Sequence, residues 1–277
     1  MTGFDSIETP ALLVDMDALE WNITVMADFM KGRRVRLRPH FKTHKSPAIC
    51  HMQLAAGAKG ICCAKLGEAE VLLTTGIPDV LIANQIVDPA KIARLAGLAR
   101  GARVTVCADN EKNVADLSAA CARAGSTLNV LVEVDVGMNR CGVKTAEEAV
   151  GLAKRIAGAP GLHFEGIQAY EGHLVQLPKL EDRRAGVRKM LEEIGRVKSL
   201  LEKAGLTVKE ISGGEVNATT TSGRGSEARR RQQQQMKLAK SAARLHLAVL
   251  PNPVEQTRKI RIPRQVSHLG KHLWLSS

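Results

Sequence analysis

Short apolar and β-branched runs alternate with longer segments of helical periodicity from residue 35 to Gly214, and this rhythm limits the fold of the chain more than any other feature. Parallel strands can be joined only through a crossover of a dozen or more residues, usually a helix. A chain that repeats strand and helix therefore builds a parallel sheet covered by helices. The first strand-like run is 11–15. Asp17 is placed to cap the helix that follows to about Met30, with Leu19, Ile23, Met26 and Met30 at helical spacing. A basic, β-compatible run lies at 35–37, after which Ser46-Pro47 opens a helix that stops at Gly57. Strand-like runs at 60–64, 80–84, 104–108, 128–135, 164–170 and 208–212 follow. They are separated by helical patterns at 67–75, from Asp88-Pro89 onward, and at 111–124, 145–157 and 181–204. Counted from the run at 35–37, seven β/α units are complete by Gly213-Gly214. The fold class expected is α/β, a (β/α)8 TIM-type barrel with seven units recognisable, although an open doubly wound sheet fits the same alternation. There is no GxGxxG after the first strand and no Walker lysine loop, which counts against a nucleotide-binding open sheet.

Reactive side chains concentrate at Arg38-Pro39-His40-Phe41-Lys42-Thr43-His44-Lys45. Lys42 lies where a strand gives way to a loop, the end that carries the chemistry in parallel barrels. A lysine among two histidines and other cations has reason to lose its proton, as an amine nucleophile or Schiff-base lysine must. The plain alternative is a basic surface loop. His40 and His44 remain open between a base, a ligand and a supporting or exposed role. Glu133 and Asp135 stand two apart on a predicted strand, so they share a face, and a supporting role is expected of them. Tyr170, the single tyrosine, would ordinarily serve packing.

The charge is unevenly placed. Of the formal +12, residues 215–277 carry +9, with twelve Lys or Arg against three acids, so 1–214 carries only +3. A polyanion signal is thus confined to the tail, where non-specific binding is the most it supports. No run of about 18 apolar residues occurs, and the N-terminus has no charged-then-apolar leader, so a cytoplasmic protein without membrane contact is expected. Six scattered cysteines, with no CxxC pair, read as reduced and largely buried thiols.

Five separated segments carry a family resemblance. They are Thr9-Pro10-Ala11-Leu12-Leu13-Val14-Asp15, the stretch Arg38 to Lys45 quoted above, Glu133-Val134-Asp135-Val136-Gly137-Met138-Asn139-Arg140-Cys141-Gly142, Gly166-Ile167-Gln168-Ala169-Tyr170-Glu171-Gly172, and Ile211-Ser212-Gly213-Gly214. In this order they resemble the D-threonine aldolase and D-serine dehydratase branch of the alanine racemase superfamily, over roughly residues 7–214. The resemblance implies a fold-type III pyridoxal 5′-phosphate lyase acting on a D-β-hydroxy-amino acid, by retro-aldol cleavage or dehydration, through a Schiff base at Lys42. It further implies Arg140 close to the cofactor's phenolic oxygen, with Gln168 and Tyr170 near its pyridine ring. Ser212, Gly213 and Gly214 would open the phosphate loop, and His40 would lie beside the cofactor lysine. An arginine there favours an ionised phenolate, and glycine amides at a strand end can cradle a phosphate.

The likeness stops after Gly214. The family adds a β-rich C-terminal domain with a divalent-metal site, and its dimers complete each active site with the partner's C-terminal domain. Residues 215–277 hold no Asp, Cys, Tyr or Phe, so no metal ligand is assigned. His268 and His272, four apart, are more simply chance spacing than a site. For the tail, a basic helix at 226–244 with a strand at 245–250 replacing the eighth competes with a disordered, unrelated sequence, and the second is preferred. Two further functions stay open: a non-catalytic single-barrel cofactor binder, and an inactive truncated member of the family.

Overall fold

A computed structural model describes residues 7, 8, 10–214 and 275–276, the last two by their backbone alone. Two compact units divide between Lys31 and Gly32. In the first, residues 13–15 form no strand, and the helix α1 (Met16–Met30) begins after Asp15, whose side chain accepts from the Ala18 amide at 3.0 Å. The expected cap, Asp17, lies in the first turn instead, where its charge still complements the helix dipole.

The second unit carries the repeat. Its elements run β1 (Arg38–Pro39), α2 (Pro47–Ala55), β2 (Ile61–Cys63), α3 (Leu66–Thr74), β3 (Asp79–Ile82), α4 (Pro89–Leu98), β4 (Arg103–Ala108), α5 (Glu111–Ala124) and β5 (Leu128–Glu133). They continue with α6 (Ala146–Ala157), β6 (Leu162–Ala169), α7 (Gly172–Val175), α8 (Leu180–Lys203) and β7 (Glu210–Gly213). Strands β2 to β7 form one sheet in sequence order, every neighbouring pair parallel. β1 joins the β2 edge through a parallel bridge between His40 and Cys62. This is the order of seven consecutive barrel strands. The backbone of β8 (Leu275–Ser276) runs antiparallel to β1.

Of the strand expected to run from 35 up to Lys42, the structure keeps Arg38–Pro39 as β1, continued by the His40 bridge to Cys62. Val35 is exposed, whereas Arg38, Pro39 and His40 are buried, because the inward groups here are a cation and an imidazole rather than a methyl-rich run. The short helix α7 was not foreseen, since four residues are too few to show a period. A strand at 245–250, the order of the tail and the positions of His268 and His272 lie outside the described residues.

Local chemistry explains where the helices start. Ser46, Asp88, Asn110 and Thr145 each accept an amide from the first turn of α2, α4, α5 and α6. Pro47 and Pro89 take early helical positions that need no donor, and Thr145 with Glu148 completes a capping box.

Both faces of the sheet are covered, so the strands read as nearly unbroken apolar runs. Ile61, Val80, Val104, Val130 and Ile167 face the helices, in a core with Leu72, Leu95, Leu117, Ile156 and Leu201. Alternate residues Cys62, Leu81, Cys107 and Leu131, with Ala83, form a separate inner cluster. Five of the six cysteines are buried and all six are free, and burial pushes the Cys50 thiol up to about 12.

The amino ends of the strands carry an ionic floor. Arg38 pairs with Asp79 at 2.8 Å and Glu210 at 3.4 Å, Lys59 with Glu210, and Arg103 with Glu165 at 3.1 Å and Asp79 at 3.8 Å. Lys209 reaches Glu165 at 3.4 Å. A register shift opposite Val130 and Leu131 skips Glu165, and a bulge of this kind re-aims a side chain, here into the floor. Among the described residues, no helix is long and apolar enough to cross a membrane.

Candidate active site

The carboxyl ends of the same strands collect the remaining polar groups. After β1 the chain extends His40 against Cys62, and the Phe41 amide donates to the Cys62 carbonyl at 2.7 Å before the turn of residues 41–44. The Lys42 amide donates to His40 Nδ1 at 3.1 Å, and the Ser46 amide donates to His44 Nδ1 at 3.1 Å. Lys45 takes a left-handed φ of 50° to end the turn. Each histidine thus braces the backbone two residues ahead of it.

Lys42 itself is exposed while His40 is buried. Burial first, then the charges of Lys42 and His44, push His40 down to about 3. His40 is therefore neutral at ordinary pH, and because Nδ1 accepts a hydrogen bond its proton is on Nε2.

Glu133, Gln168 and Ser212 occupy one register row across β5, β6 and β7, all buried. Glu133 accepts from Gln85 Nε2 at 2.8 Å and from the Cys141 thiol at 3.2 Å, with Arg140 at 3.9 Å. Burial raises its carboxyl above the usual range, against the pull of Cys141, Arg140 and Gln85. Gln168 Oε1 is buried without a hydrogen-bond partner among the described residues. An unused buried acceptor is costly, so a donor from a ligand would find a ready place here.

β5 ends at Glu133, so the face expected to be shared with Asp135 does not continue. Asp135 braces the next loop instead: its carboxylate accepts from the Gly137 amide at 2.9 Å, the Asn139 amide at 3.0 Å and Lys144. That loop presents Arg140, whose guanidinium carbon lies 5.5 Å from the centroid of the Tyr170 ring. Tyr170 folds back over residue 172, where a Cβ would lie 2.7 Å from its Cζ, so only glycine fits. Glu171, fully buried, accepts from the Gly214 amide at 2.9 Å and so ties the end of β6 to the end of β7.

Lys42 and His40, Arg140 and Tyr170, and Gln168, Ser212, Gly213 and Gly214 all lie at the carboxyl ends of β1, β5, β6 and β7. Gln85, Glu171 and Gly172 were missed as participants. Gln85 lies in a loop without a motif, and the other two are legible only once Tyr170 is given a direction. Among the described residues no group of three or more His, Cys, Asp or Glu could hold a metal ion.

The alanine racemase N-terminal domain matches residues 14–229. The chain is 45% identical over 218 residues to the 3-hydroxy-D-aspartate aldolase of Paracoccus denitrificans, covering 77% of this chain and 56% of that protein. It is 40% identical over 208 residues to the D-threonine aldolase of an Arthrobacter species, covering 75% of this chain and 55% of the other. Among solved structures, D-threonine aldolase from Filomicrobium marinum superposes with a TM-score of 0.76 at 41% identity, over 79% of this chain and 59% of that one. The chain thus spans about half the length of the curated relatives it matches. Pyridoxal 5′-phosphate is the cofactor of this family. An exposed lysine at a strand end, an arginine over the only tyrosine, an acceptor awaiting a donor and a pair of strand-end glycines fit that group, and they do so in a chain that belongs to the alanine racemase N-terminal domain family, in its D-threonine aldolase branch.

Proposed function

We propose that this chain is the cofactor-bearing barrel of a pyridoxal-phosphate lyase that splits D-β-hydroxy-amino acids into glycine and an aldehyde. The observation that carries the reading is the position of Lys42, exposed directly after β1 and braced through its own amide by a buried, neutral imidazole. Identities of 45% and 40% to two aldolases, against 29% to a D-threo-3-hydroxyaspartate dehydratase, favour carbon–carbon cleavage over dehydration.

When bound, the cofactor supplies an electron sink for the pair released at the substrate's Cα. The chain's own residues divide the rest of the work. Lys42 Nζ would hold the group covalently, and His40, holding no positive charge, would add no repulsion to it. Arg140 would favour an anionic oxygen near the Tyr170 ring, and Gln168 Oε1 would accept from a donor on the ligand. Ser212 and the amides of Gly213 and Gly214 would hold its phosphate, for which the Gly214 amide would exchange its bond to Glu171. In the reaction the Cα–Cβ bond breaks, the β-hydroxyl proton leaves to a base, the hydroxyl carbon becomes an aldehyde, and Cα takes a proton to give glycine.

The test is the visible absorption of the purified chain after addition of pyridoxal 5′-phosphate and removal of excess, beside Lys42→Ala. A visible band that borohydride abolishes and the mutant lacks is expected, followed by aldehyde release from D-threonine or 3-hydroxy-D-aspartate. Cofactor retention without turnover of either substrate would favour the non-catalytic binder. Wild type and mutant that are equally colourless would overturn the reading.

A further inference from the structure

We propose that the ion pair between Arg38 and Glu210 is a positioning device, setting the separation between the strand that leads to Lys42 and the strand that leads to Ser212, Gly213 and Gly214. The inference rests on the cofactor reading above. Among the described residues no backbone ladder joins β1 to β7: β1 meets β2 through His40 and pairs with β8, while β7 pairs with β6. A ligand anchored at one end by Lys42 and at the other by the glycine amides needs both strands in register, and it loses affinity when either anchor moves.

The geometry at the seam is built for that task. Arg38 Nη1 lies 2.8 Å from Asp79 Oδ1, and Nη2 lies 3.4 Å from both Asp79 Oδ2 and Glu210 Oε1. The other Glu210 oxygen accepts from Lys59. One planar fork thus gathers β1, β3 and β7, and such a fork fixes orientation as well as distance. Its side chain is 3% exposed, and that of Glu210 is 16% exposed. Burial alone would lower the Arg38 pKa, but the hydrogen bond to Asp79 and the charges of Asp79 and Glu210 outweigh it and raise it. Space for the guanidinium exists because residue 60 is glycine: a Cβ there would run into Arg38 Nη1 and lie 2.7 Å from the Asp79 carbonyl oxygen. Lys42 follows Arg38 by four residues and Ser212 follows Glu210 by two, so a shift of either strand reaches the site almost undiminished.

The pair is tested by fluorescence titration of wild type, Glu210→Gln and Glu210→Asp with pyridoxal 5′-phosphate and, separately, with pyridoxal, which lacks the phosphate. Melting temperatures are measured on the same samples. The Glu210→Gln chain should bind the phosphorylated ligand at least about tenfold more weakly, a decade being about 1.4 kcal/mol. Its affinity for pyridoxal should change by less than about twofold, because only the phosphate anchor has moved. Glu210→Asp keeps the charge but shortens its reach from β7, so it should repeat the selective loss even if the glutamine variant does not fold. Equal losses for both ligands, or none, overturn the proposal and leave the pair a general stabiliser. A wild-type chain that binds neither ligand overturns the cofactor reading, and the positioning role with it.

Discussion

The two ends of the strand series use charged and polar groups in opposite ways. At the amino ends, Arg38, Lys59, Arg103 and Lys209 meet Asp79, Glu165 and Glu210 in a continuous network. At the carboxyl ends the groups are kept away from simple ion pairing: His40 is neutral and close to a lysine, Glu133 has partners yet is raised by burial, and Gln168 Oε1 has no donor among the described residues. The floor uses ionic contacts to fix strands, whereas the opposite end keeps unspent capacity for a ligand. A barrel separates stability from chemistry along the strand axis, and here the separation is visible in which buried groups have found partners.

The sharpest way to break this comparison is Arg38→Met, which leaves Asp79 and Glu210 each short of a cation. Removing one partner from a buried network costs about 3–5 kcal/mol, and urea unfolding should show a loss of that size. A loss below about 1 kcal/mol would mean the floor resembles exposed ion pairs instead.

Acid sharpens it next. His40 has a folded pKa depressed from 6.5 to about 3, so the unfolded chain binds the proton more readily. Stability should therefore fall as pH drops below about 6.5, by up to about 1.4 kcal/mol per pH unit, until pH 3. Glu210 acts in the same direction but lower. Burial would raise its carboxyl, yet Lys59 and Arg38 lower it below 4.5, so its contribution is present above that value and lost as pH falls through the folded pKa. Unfolding of His40→Asn and Glu210→Gln across pH 3–7 separates the two: the first should flatten the slope near pH 5–6 and the second only that below 4.5.

Gly172→Ala should cost about 1–3 kcal/mol by forcing the Tyr170 ring off residue 172, and the visible band of the bound cofactor should shift as the ring and Arg140 part. At Gln168 function should move while stability hardly does. Gln168→Leu removes an unpaired buried acceptor and should change stability by no more than about 1 kcal/mol, in either direction, while cofactor retention drops. Lys42→Ala, at an exposed position, should alter stability by less than about 0.5 kcal/mol while abolishing covalent attachment. A large stability loss there would erase the distinction between the two ends.

The sequence made the periodic parts legible and the aperiodic ones opaque. Seven strands and the helices between them follow from spacing, and the pattern at 111–124 marks the start of α5 at Glu111. The strand before Lys42 is shorter than expected, and its inward residues are Arg38 and His40, which no hydrophobic pattern marks. The cap of α1 moved to Asp15 because two aspartates compete within three positions and only geometry decides between them. Glu165 looks like an ordinary strand residue, and its role in the floor depends on a register shift that no local pattern encodes. At the site, Gln168 and Tyr170 were found through a motif. Glu171 was not, since its partner Gly214 is 43 residues away.

Sequential strand order also has a temporal meaning. Each strand from β2 to β7 is laid beside the one made just before it, so most of the sheet can assemble as the chain is synthesised, from contacts short in sequence. Arg38 must wait 172 residues for Glu210. Until β7 arrives, the buried guanidinium has Asp79 as its acid, and the second carboxylate that would tie it to the far side of the seam has not yet been made. The last strand thus closes a circuit begun near the start of the chain, and the anchors for the two ends of a ligand come into being at the same moment.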